Sequence, residues 1–249
     1  MDIPEPLRYL IVMGLVGLLV LLRLDAQRFG AAEYDEAMRD GHLPSFRRRI
    51  AWYALGIGLV AAIFLVHPTP ARTLYLGGGE RVQTLVFGLT YGFIGAIQAI
   101  AFAWLRYRHL RLPGVASYPG ALINSLATAF IDEAAFRGVL YGIILGLGVN
   151  ATTANVLQAL LYALSTRRGA PGRDRYMLVL ALMIGLAGGW LTSATGGIAA
   201  AFIGHAVTRF SVFLCTGHAG QVALRGTEPE EIEHRRRVPD GWRVIGTRE

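Results

Sequence analysis

Seven apolar stretches, separated by short polar ones, run along the chain: Tyr9–Leu22, Ile50–Val66, Val82–Leu105, Gly120–Leu147, Ala154–Ser165, Tyr176–Leu191 and Ile198–Leu214. With their flanks, stretches of this kind approach the roughly 20 residues a helix needs to cross a hydrocarbon core. The pattern therefore predicts an all-α protein, a polytopic transmembrane helical bundle of about seven spans. Ala154–Ser165 is short for a span and needs its flanks, whereas Gly120–Leu147 is long enough to tilt or to begin in the interface. Tyr9–Leu22 has the length of a signal-peptide core. Asp2 and Glu5 stand where such a peptide is basic, and no small-residue cleavage site follows, so the stretch reads as a first span.

The polar connections refine this layout. AAEYDEAMRD (Ala31–Asp40) predicts a short surface helix between the first two spans, and Arg47-Arg48-Arg49 closes that loop. Residues 217–249 form a polar tail in which EPEEIEHRRR predicts a short helix. The chain thus divides into a membrane domain over 1–216, with its chemistry concentrated in 80–215, and a tail over 217–249. Glycines at Gly88 and Gly92, at Gly138, Gly142 and Gly146, and at Gly185 and Gly189 have the spacing that lets helices approach closely in lipid.

Composition supports the bilayer as solvent. The chain is 53% hydrophobic and 16% charged, with mean hydropathy +0.44, against about 25% charge in soluble domains. Its net charge of +7 is carried by arginine, with no lysine. Basic chains often bind nucleic acid, but these arginines gather at the ends of apolar runs, in 23–49, 106–118, 166–175 and the tail. The positive-inside rule accounts for them with the N-terminus outside and the C-terminus cytoplasmic. The arginine, alanine and glycine bias suggests a GC-rich genome and so the inner membrane of a bacterium. One cysteine, Cys215, excludes an intrachain disulfide and a cysteine metal cluster, and no cofactor is expected.

Ionisable groups inside apolar runs are costly and call for pairing, a wet cavity or chemistry. Asp132, Glu133 and Arg137 lie within the fourth run, and His205 and Arg209 within the seventh; the other five histidines sit at loops or ends. A buried carboxylate with a histidine activates water and steadies an oxyanion, which points to hydrolysis of an acyl bond. Two carboxylates facing two arginines also describe a purely structural cluster. Zinc on Asp132, Glu133 and His205 is the third reading. Neighbouring helical residues diverge by about 100° and no HExxH is present, so no metal is expected.

These blocks also resemble a family. DEAAFRG (Asp132–Gly138) resembles the EExxxR signature of the CAAX-protease and bacteriocin-processing family of intramembrane glutamic endopeptidases. LLYALST (Leu160–Thr166) stands where that family has FxxxH, and HAVTR (His205–Arg209) where it has HxxxN. The resemblance covers roughly residues 80–215. It implies a helical bundle whose site opens toward the cytoplasm, with Asp132 as the base that activates water, Glu133 beside it and Arg137 holding the motif. It also implies His205 and Arg209 as oxyanion donors, and Tyr162 and Thr166 against the substrate. Three signature positions are kept and three altered: Asp132 for glutamate, Thr166 for histidine and Arg209 for asparagine. The implied function is endopeptidase cleavage of a membrane-associated or lipidated peptide or protein. The alternative is an inactive membrane scaffold or binding protein of the same fold.

Overall fold

A computed structural model of the protein describes residues 4–31, 33–35, 43–107, 110–168 and 176–220. The chain runs as helices α1 (Glu5–Leu24), α2 (Leu43–Val66), α3 (Pro70–Thr73), α4 (Arg81–Tyr107) and α5 (Tyr118–Asp132), then α6 (Tyr141–Gly146), α7 (Ala151–Arg168), α8 (Tyr176–Thr195) and α9 (Ala199–Thr216). A π-helix, Glu133–Leu140, joins α5 to α6. Two three-residue strands, β1 (Glu33–Asp35) and β2 (His218–Gly220), pair antiparallel with Tyr34 opposite Ala219.

Each apolar run is helical, and five helices among the described residues are long and apolar enough to cross a membrane: Pro6–Leu24, Arg47–Val66, Arg81–Leu105, Met177–Thr195 and Ala199–Thr216. The two remaining runs are the α5–π–α6 rod, which holds Asp132, Glu133 and Arg137, and α7, which reaches Ala151–Arg168 by extending into both flanks. The protein is thus an all-α, multi-pass membrane protein.

α9 is the central helix, with 61% of its span buried against 22% for α1 and α4. It packs on α4 through small residues. A side chain at Gly88 would meet Ala200, one at Gly92 would lie 2.9 Å from Val207, and Tyr91 occupies the space beside Gly204. Gly185 likewise meets Ala159 of α7. The main apolar core lies elsewhere, where Leu19 of α1, Trp52 and Ile63 of α2, and Phe136 of the π-helix come together.

Three expectations change. Within the stretch expected to be a surface helix, Glu33–Asp35 form β1 and pair with the start of the tail, while residues 36–40 lie outside the described residues. α2 begins at Leu43, so Arg47–Arg49 belong to a helix and not to a loop. Gly138 and Gly142 face no spanning helix: Gly142 admits the backbone of Thr73 and Leu74 at the end of α3, Gly138 meets the Leu74 carbonyl oxygen and the Leu76 side chain, and Gly146 faces nothing within 4 Å. The tail helix and most of the 166–175 loop lie outside the described residues.

Gly142 carries a test. A Cβ there would strike the Thr73 carbonyl oxygen and lie 2.8 Å from Leu74 Cα, and backbone cannot swing aside. Gly142→Ala should cost about 1–3 kcal/mol in detergent unfolding titrations. An unchanged midpoint would show that the Thr73–Leu74 backbone does not pack against Gly142.

Candidate active site

The site grows from the break in the fourth run. The sequence through Asp132 could continue as ordinary α-helix. Its hydrogen bonding instead widens over Glu133–Leu140, and π-segments of this kind occur often at functional sites. Widening changes the angular spacing of the side chains, and Asp132, Glu133 and Arg137 all end up fully enclosed at 0% exposure. Each then needs a partner, since a lone buried charge is prohibitively costly.

Glu133 has two. Its Oε1 accepts from His205 Nδ1 at 2.7 Å, and its Oε2 lies 3.3 Å from Arg137 Nε. The Arg137 guanidinium sits over the Tyr162 ring, 3.9 Å from its centroid. Such cation–π stacking suits a desolvated arginine. Tyr162 OH reaches back to His205 Nε2 at 3.4 Å. Gly188 of α8 closes the other side: a Cβ there would lie 3.1 Å from Arg137 Nε and 3.2 Å from Glu133 Oε2.

Asp132 turns a different way. Its Oδ1 lies 3.0 Å from Nε of Arg23, the arginine in the last turn of α1, and both side chains are buried. Arg23 also donates to Thr166 Oγ1 at 3.4 Å. Arg209 donates to Asn124 Oδ1 at 3.0 Å and to the Ala219 carbonyl at 3.1 Å. Asn124 in turn donates to Tyr53 OH at 2.7 Å. Thus Glu133, Arg137, Tyr162 and His205 form one connected chain, Thr166 joins Asp132 through Arg23, and Arg209 is anchored to α5 and β2.

A small cleft of about 30 Å³ opens between α7, α8 and α9, room for one or two waters. Its polar wall is Tyr162, Thr166, His205, Thr208 and Arg209, and its apolar wall comes from α8, including Leu180 and Ile184. Asp132 and Glu133 stand behind this wall and do not line the cleft.

Residues 114–211 match the family model described as Rce1-like, type II CAAX prenyl endopeptidase Rce1-like. No curated protein and no solved structure matches the chain. The matched segment runs from just before α5 into α9 and holds Asp132, Glu133, Arg137, Tyr162, Thr166, His205 and Arg209. Arg23 and Tyr53 lie outside the matched segment, on α1 and α2. Sequence reasoning missed both, together with Asn124 and Gly188. Arg23 looked like a topology-setting arginine at the end of an apolar run. Asn124 left a usable signal, lying eight residues before Asp132, about two helical turns away on the same face. Gly188 left none, because a glycine next to Gly189 looks like packing.

Proposed function

We propose that this protein is an intramembrane endopeptidase that hydrolyses a peptide bond in a membrane-associated or lipidated substrate. The observation that carries this reading is convergence: the first sequence block reaches the other two through Glu133–His205 and Arg137–Tyr162, and those two blocks line one water-sized cleft. Glu133 and Arg137 come from the π-helix, Tyr162 and Thr166 from α7, and His205 and Arg209 from α9. The arrangement contains what hydrolysis requires, namely buried carboxylates, a histidine at the cleft and a cation beside it to meet an oxyanion. In this reading Asp132, Glu133, Arg137, His205 and Arg209 form the reacting cluster, and Tyr162 and Thr166 flank the peptide.

Residues 1–216 act as the membrane domain and 217–249 as a tail that begins by packing against it through β2. The basic end of the bundle, with Arg23, Arg47–Arg49 and Arg167–Arg168, faces the cytoplasm of a bacterial cell. The apolar α8 wall beside the polar one suits a substrate that arrives along the bilayer.

Purified protein in liposomes, given a fluorogenic peptide library that includes prenylated CAAX-type peptides, tests the proposal. Wild type should cleave at least one class, and His205→Ala should lose about 10²–10⁴-fold while keeping its helical circular dichroism. Absence of cleavage by wild type across the library would favour the scaffold reading, in which the charges serve only one another.

A further inference from the structure

We propose that His205, turned by Glu133, is the base that takes the proton from the attacking water, in the role the family resemblance gives to Asp132. This rests on the endopeptidase reading.

Asp132 is poorly placed for the task. It lies behind the cleft wall, with a permanently charged guanidinium 3.0 Å from Oδ1. His205 is well placed. It lines the cleft, is 1% exposed, and meets Glu133 Oε1 through Nδ1 at 2.7 Å. A carboxylate can only accept, so that contact puts the proton of the neutral ring on Nδ1 and leaves the lone pair on Nε2. Tyr162 lines the cleft and Glu133 does not, so the Nε2 edge is the one nearer it; there the lone pair accepts only a long 3.4 Å hydrogen bond from Tyr162 O–H, which an entering water replaces. A carboxylate that fixes the tautomer of a histidine, which then deprotonates a nucleophile, is the division of labour found in catalytic triads. In this site a water stands in for the serine.

Water oxygen forms a bond to the scissile carbonyl carbon while one water proton passes to His205 Nε2, giving an imidazolium steadied by Glu133. The resulting oxyanion is met by Arg209 and by the Thr166 hydroxyl. Thr166 Oγ1 accepts from Arg23 and so keeps its own O–H to donate. His205 then returns the proton to the departing amide nitrogen as the C–N bond breaks. The products are a peptide ending in a carboxylic acid and a free amine, which exchange the acid proton to leave as carboxylate and ammonium.

Glutamine at position 205 separates a base from an oxyanion donor, because its amide donates hydrogen bonds but takes up no proton near neutral pH. His205→Gln should fall as far as His205→Ala, about 10²–10⁴-fold below wild type in kcat. His205→Gln within about tenfold of wild type would overturn the assignment and leave His205 a donor. Nitrogen-15 NMR, with the His205 signal identified by its loss in His205→Gln, reads the same question without substrate. A proton on Nδ1 and a bare Nε2 at neutral pH support the proposal, whereas a proton on Nε2 overturns it. The bare-Nε2 tautomer in a protein that cleaves no peptide would fault the endopeptidase reading and leave the base itself in place.

Discussion

Arg23→Met is expected to lower unfolding free energy by about 3–5 kcal/mol, the cost of leaving one member of a buried ion pair without its partner. Arg23 is 2% exposed and Asp132 is 0% exposed, and Nε lies 3.0 Å from Oδ1, so solvent can do little to compensate the stranded carboxylate. Methionine keeps the unbranched stem and removes only the charge and its donors. Replacing both partners, Arg23→Met with Asp132→Asn, should recover most of the loss, because a buried pair exchanged for neutral groups is often near neutral. A double-mutant cycle in a denaturing-detergent titration measures this. Single losses that simply add, with a coupling below about 0.5 kcal/mol, would show that the two groups do not depend on one another.

Glu133→Gln is expected to reduce peptide cleavage by about 10³–10⁴-fold, the scale seen when the carboxylate that orients a catalytic histidine becomes an amide. The substitution changes almost no volume. It removes the negative charge and leaves one acceptor oxygen for two donors, His205 Nδ1–H at 2.7 Å and Arg137 Nε at 3.3 Å. An amide can instead present its N–H₂ to Nδ1, which moves the ring proton to Nε2 and closes the lone pair that faces the cleft. The loss should appear in kcat, with KM little changed, because Glu133 does not line the cleft. Retention of kcat with a raised KM would mean that Glu133 shapes substrate binding and leaves the proton transfer alone.

The sequence made much of this molecule legible, for reasons that depend on solvent. In a bilayer every backbone polar group must be satisfied within its own segment, so an apolar run of spanning length has few alternatives to helix, and the runs did become helices. Burial of Glu133, Arg137 and His205 was legible on the same ground, because charges within such runs have nowhere wet to go. The failures have a common cause in contacts between distant parts of the chain. AAEYDEAMRD has residues that favour helix locally, yet Glu33–Asp35 gave way to pairing with His218–Gly220, and no local pattern announces a partner at the far end of the chain. The pairing of Asp132 was expected from Arg137 and Arg209. Arg23, across the bundle on α1, supplies a contact that spacing along one helix does not reveal. The π-helix was hidden as well, since EAAFRGVL has no residue that would forbid α-helix.

That wide turn has a consequence for how the chain tolerates insertion and deletion. A π-turn amounts to one residue added to an α-helix, and each residue of α-helix advances the rotation by about 100°. Deleting a single residue between Glu133 and Leu140 would let the rod revert to regular α-helix and preserve its hydrogen bonding. It would also rotate everything downstream relative to α5, swinging Gly142 away from the Thr73–Leu74 backbone that it admits. The reading frame of this rod is therefore a structural quantity. A chain shortened by one residue there could remain helical throughout and still point its second half at the wrong neighbours.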